Sequence, residues 1–219
     1  MKGIKVVAYR WVPPPAQGLV RDLRVRWALE EAGLAYEEQL INFGDQSSES
    51  HRTLQPFGQI PVYQEGELTL FESGAIVLEI GERSEALMPS DPGARAHVKQ
   101  WIFSALNTIE PHVQHLVSND LFHATDEWRT VSRPAVEQMV NKRLVELSKR
   151  LNGHTFLEER FTAADLIMSQ VLRLLRHTQL VAEIPILAAY CRRCEARPAF
   201  QKALADQLGV FAANAPAAA

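Results

Sequence analysis

The chain has 219 residues, 47% hydrophobic and 22% charged, with a formal net charge of −3. That balance belongs to an ordinary globular protein and excludes a dedicated nucleic-acid surface; no apolar run reaches the roughly 18 residues of a membrane span, so no membrane partner is expected. The length accommodates one large domain or two smaller ones. Two cysteines, Cys191 and Cys194, are too few for a disulfide framework. With no signal-peptide pattern at Met1-Lys2-Gly3-Ile4-Lys5, they point to a reducing, cytoplasmic setting.

Ile4 to Tyr9 is a nearly continuous apolar run and predicts a first strand buried on both faces. Arg10 to Gly18 carries Pro13, Pro14 and Pro15 in succession, which disfavours helix and predicts a stiff extended connector. Leu19 to Ala32 predicts a helix, with Leu19, Leu23, Trp27 and Ala28 on one face and Arg21, Asp22, Arg24 and Glu31 elsewhere. Gly33 is its stop. Ala35 to Ile41 is a second strand, and the polar run Gly44 to Arg52 is loop with room for a short helix. Pro61-Val62-Tyr63 begins a third strand, Gln64-Glu65-Gly66-Glu67 has the composition of a tight turn, and Leu68 to Phe71 returns. The unit is a hairpin. Glu72-Ser73 then opens a helix with apolar residues at Ala75, Ile76, Leu78 and Ile80, ending near Arg83, and Ser73 is its expected N-cap. This order of elements over residues 1–84 is that of a thioredoxin-like α/β domain.

Residues 85–93, with Pro89, Asp91 and Pro92, are the expected linker. Beyond it only helical periodicity remains, over residues 94–211. Ala94 to Val117 reads as one long helix that Pro111 kinks or interrupts. Glu127 to Leu151 is another, ended by Asn152-Gly153. In Phe161-Thr162-Ala163-Ala164-Asp165-Leu166, Thr162 is the N-cap and Asp165 the N3 residue of a capping box, with Phe161 and Leu166 at the staple positions. Helices over Ile184 to Arg197 and Ala199 to Leu208 complete an all-α domain. The Ala-rich tail 212–219 has little to bury and is expected to be disordered. The fold class is therefore α/β plus all-α, an N-terminal thioredoxin-like domain followed by an all-helical C-terminal domain.

Phe57-Gly58-Gln59-Ile60-Pro61-Val62 and Phe71-Glu72-Ser73-Gly74-Ala75-Ile76 bring a proline, a hairpin and a helix N-terminus into one unit. The unpaired N–H groups and positive dipole end at Ser73 suit a small, extended ligand that carries a carboxylate. Taken alone, Pro61 fits the start of an ordinary strand as well. Together with Phe161 to Leu166, these residues resemble the cytosolic glutathione transferase superfamily, over nearly the whole chain. That family's hallmarks are a cis-proline before the third strand, a Glu/Gln-Ser pair after the fourth, and the same helix-entry signature in its helical domain.

The resemblance implies the glutathione transferase architecture and a detoxification activity that joins glutathione to a small hydrophobic electrophile, or a related addition or isomerisation that uses glutathione. It also implies glutathione as co-substrate, no metal, and a homodimer with the site near its interface. A cis Ile60–Pro61 bond would leave the Ile60 N–H and C=O for the cysteinyl-glycine part of glutathione, which would add as an extra strand. Glu72 and Ser73 would hold the γ-glutamyl end, Gln59 would contact the ligand, and His51 or Arg52 would take the glycyl carboxylate. Trp101, Phe103 and Asn107 lie on the helix that walls the family's electrophile pocket, core packing being the alternative for Trp101.

Thiol activation is where the sequence departs from the family pattern. Relatives use a Tyr at the end of the first strand, or a Ser or Cys at the start of the first helix. Aligned on Arg24-Val25-Arg26, the Ser/Cys position falls at or near Leu19, and no Ser or Cys lies between Met1 and Asn42. Three sources remain open: Tyr9, although the loop after it is long for the tyrosine type; Arg21, through its charge; and backbone N–H groups around Gln17 to Leu19. Without a cysteine near the first helix, thiol–disulfide exchange is disfavoured. The alternative is a non-catalytic glutathione carrier or interaction module of the same fold. Cys191-Arg192-Arg193-Cys194 falls within a predicted late helix, not after a strand, and His112 and His115 have no evident third ligand. Neither a redox pair nor a metal site is expected there.

Overall fold

The computed structural model describes residues 3–122 and 127–216. In chain order they form β1 (Ile4–Tyr9), α1 (Asp22–Ala32), β2 (Tyr36–Ile41), α2 (Glu49–Arg52), β3 (Val62–Glu65), β4 (Leu68–Leu70) and α3 (Ser73–Gly81). The helices α4 (Pro92–Phe103), α5 (Glu110–Val117), α6 (Glu127–Leu151), α7 (Ala163–Arg173), α8 (Pro185–Glu195) and α9 (Pro198–Ala213) follow. Two compact units result, Met1–Met88 with Arg197–Ala219, and Pro89–Ala196. No helix among the described residues is long and apolar enough to cross a membrane.

In the first unit the strands are ordered β2-β1-β3-β4, with β1 parallel to β2 and antiparallel to β3. The apolar run Val6-Val7-Ala8 explains the central place of β1, because all three side chains are fully buried and a strand covered on both faces needs no polar alternation. The prolines do not exclude helix altogether. Pro14–Ala16 form one 3₁₀ turn, where proline's fixed φ is compatible and no N–H is missed. Tight turns from Ala16 to Val20 then delay α1 to Asp22, beyond the expected start at Leu19. Gly33 ends α1 in the left-handed region at φ 65°.

The expected two-sided α1 is corrected: every residue from Asp22 to Leu29 is buried, including Asp22, Arg24 and Arg26. The cause is packing on more than one side, against β1, α3 and α9. Although α9 follows the all-α segment in sequence, it lies with the first unit. The Trp27 and Phe200 rings meet at 4.8 Å, Arg197 pairs with Glu31, and Gln207 Nε2 donates to Asp22 Oδ1 at 2.9 Å. Asp22 also accepts from Arg26 Nε at 2.7 Å, and burial pushes its carboxyl up against that attraction. Desolvation largely cancels the gain from such a buried pair. The burial of Trp27 and Phe200, about 1.5–3 kcal/mol for each large side chain, therefore holds α9 in place.

In the second unit Asp91 caps α4 by accepting the Ala94 N–H at 2.8 Å, so the linker stops short of Pro92. The long helix expected over Ala94 to Val117 is interrupted as Pro111 requires. A π-helical segment, Ser104–Ile109, separates α4 from α5 and accommodates the missing N–H and the ring. α6 spans Glu127–Leu151 and contains Pro134. The capping box at α7 is present, and the fully buried Asp165 carboxylate accepts the N–H groups of Leu157 and Thr162 at 2.9 and 3.0 Å and the Tyr190 hydroxyl at 3.0 Å. Ala212 and Ala213 close α9 and are not part of a tail, whereas residues 217–219 of the expected tail lie outside the described residues.

Candidate functional site

The Ile60–Pro61 bond is cis. The β1–β3 ladder ends with Val7 opposite Val62, so Ile60 and Pro61 lie just beyond it. The Ile60 side chain is buried with Val7 and Val62, and Tyr9, Val20, Ile41 and Leu54 pack around them. The loop before the proline is knitted by its own side chains. Arg52 Nη1 donates to the Pro56 carbonyl at 3.0 Å, Gln55 Oε1 accepts the Phe57 N–H at 2.6 Å, and His51 Nε2 donates to the Gln59 carbonyl at 2.7 Å. His51 is buried and its Nε2 is spent on the loop. Arg52 and the Gln59 side chain stay exposed.

Gly58 makes that loop possible. Its φ is +65°, and a Cβ there would lie 2.9 Å from the Gln46 carbonyl oxygen. A left-handed alanine costs about 1–2 kcal/mol before any clash. Gly58→Ala is therefore expected to lower the urea midpoint correspondingly; an unchanged midpoint would contradict this account of the loop.

Across the hairpin, Glu72 adopts φ 68° and ψ 112°, the one non-glycine residue at positive φ among the described residues. Such a conformation costs of order 1–3 kcal/mol and is characteristic of functional sites. Glu72, and not Ser73, occupies the N-cap position: its carbonyl accepts the Ile76 N–H at 3.0 Å while its carboxylate stays exposed. Ser73 is the first residue of α3 and is buried. Its hydroxyl accepts from Arg24 Nη1 at 3.3 Å, across 49 positions of sequence. Sequence reasoning missed Arg24, because a charged residue beside the apolar face of a helix reads as solvated.

The candidates for thiol activation are distinguished by their surroundings. Tyr9 ends β1, half-buried, its ring 5.7 Å from that of Phe43. Burial raises its phenol above the ordinary value, so it remains a neutral hydrogen-bond donor at physiological pH. Arg21, also half-buried, precedes the first residue of α1. The backbone N–H groups of Gln17 and Leu19 donate to Pro14 and Ala16 carbonyls, which removes both from the backbone alternative.

In the second unit, Trp101 is half-buried and anchored, its Nε1 donating to Glu158 at 2.8 Å and Arg150 lying 5.6 Å from its ring centroid. Phe103 is 55% exposed, and Asn107 on the π-helical segment is exposed as well. At 100° per residue Trp101 and Phe103 point to opposite sides of α4. Cys191 and Cys194 lie on α8, and burial pushes the Cys191 thiol up to about 12 and Cys194 up further. Such thiols stay protonated and are poor nucleophiles. Among the described residues no group of three or more His, Cys, Asp or Glu side chains could hold a metal ion.

Comparison with known proteins accords with this geometry. The family model described as glutathione S-transferase, N-terminal domain, matches residues 17–80, and glutathione S-transferase, C-terminal domain, matches residues 113–207. The chain is 30% identical over 197 residues to a glutathione S-transferase of Hyoscyamus muticus, covering 83% of this chain and 92% of the relative. It is 30% identical over 208 residues to glutathione S-transferase 4 of Zea mays, covering 90% and 91%. Poplar glutathione transferase F1 superposes with a TM-score of 0.82 at 22% identity, over 95% of this chain and 100% of that one. A glutathione transferase of Burkholderia graminis, solved with two glutathione molecules bound per subunit, gives 0.81 at 26% identity, over 93% and 88%. Matched in both domains and along most of its length, the chain belongs to the glutathione S-transferase superfamily.

Proposed function

We propose that the chain is a transferase that binds glutathione at Ile60-Pro61 and Glu72-Ser73 and activates its thiol for attack on a small hydrophobic electrophile, working as a homodimer. The observation that carries this reading is the pairing of the cis Ile60–Pro61 bond with the strained Glu72 at the start of α3. The glutathione in the Burkholderia graminis relative supports the choice of ligand.

The Ile60 backbone takes the cysteinyl part of the ligand, and Ser73 with the first N–H groups of α3 takes the γ-glutamyl carboxylate. Glu72 faces the ligand's ammonium, while Gln59 and Arg52 lie toward the glycyl end. Tyr9 donates its O–H to the thiolate, and Arg21 adds positive charge at the start of α1. The thiol proton leaves to solvent, and sulfur then forms the bond to carbon as the electrophile's leaving group departs or its double bond accepts the electron pair. The electrophile contacts are assigned to Trp101, Phe103 and Asn107, with packing against Glu158 and Arg150 the alternative for Trp101.

A hydrogen bond to a charged group contributes about 1.5–3 kcal/mol. Tyr9→Phe should therefore lower kcat/KM for an activated aryl chloride by about 10- to 100-fold, with glutathione affinity unchanged. A parallel loss of affinity, or no loss of rate, would remove Tyr9 from the mechanism. The absence of any Ser or Cys between Met1 and Asn42 favours the second reading, a non-catalytic carrier, which predicts tight glutathione binding without turnover in the wild type.

A further inference from the structure

We propose that Arg24 is a positioning residue for the carboxylate subsite: it fixes the Ser73 hydroxyl as a donor and supplies positive charge beneath the subsite. The inference rests on the reading of Ser73 as the γ-glutamyl carboxylate site.

Arg24 is 3% exposed and Ser73 5% exposed, so both groups lie beneath the surface, where charge is weakly screened. A guanidinium has donors and no acceptor, whereas a hydroxyl has one proton and two lone pairs. The contact between Arg24 Nη1 and Ser73 Oγ, 3.3 Å, therefore uses a Ser73 lone pair and leaves the hydroxyl proton for something else. A carboxylate at the start of α3 is an acceptor only and completes the chain Arg24 N–H to Ser73 O–H to carboxylate. Each bond in such a chain polarises the next. The partial positive charge of the α3 N-terminus points the same way as the guanidinium, so two independent sources favour an anion at this position. Arg24 acts through Ser73 and does not touch the reacting sulfur.

A merely structural Arg24 and a positioning Arg24 differ in what their loss does to different ligands. The discriminating pair is glutathione and its analogue with the γ-glutamyl α-carboxylate replaced by the carboxamide, which has nearly the same shape and no charge there. A helix N-terminus alone favours an exposed anion by up to about fivefold and a partly buried one by up to about thirtyfold. With Arg24 in place, titration calorimetry on the wild-type protein should show a preference for glutathione of more than about thirtyfold. Arg24→Met should weaken glutathione by about tenfold while changing carboxamide affinity less than twofold, and Arg24→Lys should restore part of the preference. Equal losses for both ligands in Arg24→Met would make Arg24 structural and overturn the proposal. If Arg24→Met does not fold, the wild-type preference still decides: glutathione bound no more than about thirtyfold better than the carboxamide also overturns it. No glutathione binding by the wild type would overturn the site reading itself, and the inference with it.

Discussion

Replacing Asp165 with alanine should lower the unfolding free energy by about 3 kcal/mol or more. The carboxylate is fully buried and accepts four hydrogen bonds, from the Leu157 and Thr162 N–H groups and the Tyr190 and Thr162 hydroxyls. Each buried donor left without a partner costs about 1–3 kcal/mol, so the sum exceeds a lost helix cap, which is usually about 1 kcal/mol. Burial pushes the Asp165 carboxyl up to about 6, so at pH 7.5 it is still mostly ionised and all three neighbours donate to it. For a chain of this size about 3 kcal/mol corresponds to a fall in Tm of roughly 6–12 °C. Thr162→Ala, which removes the cap while keeping Asp165, should give a clearly smaller shift. Equal shifts in the two variants would mean that the capping box, and not the wider set of donors, carries the stability.

The second large effect is expected at Ser73, in binding and not in folding. Ser73→Ala removes the hydroxyl that accepts from Arg24 and, in the proposed complex, donates to the γ-glutamyl carboxylate. A charge-assisted hydrogen bond contributes about 1.5–3 kcal/mol, so glutathione affinity should fall by about 10- to 100-fold. Glu72→Ala should weaken binding comparably, whereas Glu72→Gln should be tolerated, since the family carries either residue before the serine. Titration calorimetry on the three variants checks this, and unchanged affinity in Ser73→Ala would move the ligand elsewhere.

What could be read in the sequence was whatever local physics determines. The run Ile4 to Tyr9 has no polar alternation and became the central strand at those bounds. Thr162 and Asp165 carry their capping chemistry within one helical turn and kept it. The cis Ile60–Pro61 bond and the helix that opens after the hairpin stand where the sequence reading put them, although the unusual backbone of Glu72 has no sequence signal. What could not be read depends on the third dimension. Asp22, Arg24 and Arg26 look like a solvated helix face, and they are buried because α3 and α9 pack on α1. The part played by α9 was hidden for the same reason, since Gln207 finds Asp22 across 185 positions. His51 reads as a cation or donor within range of a ligand carboxylate, and its Nε2 is used to tie its own loop to the Gln59 carbonyl.

The central claim is that this site binds glutathione and activates its thiol. It is tested most directly by titrating the thiolate absorbance of glutathione bound to the wild-type protein against pH. From a free-thiol value of about 8.5, a fall of roughly 2 units, equivalent to about 2.7 kcal/mol of preferential thiolate stabilisation, is the predicted result. A bound thiol that titrates at the free value would contradict the account and leave a carrier of glutathione in place of an enzyme that uses it.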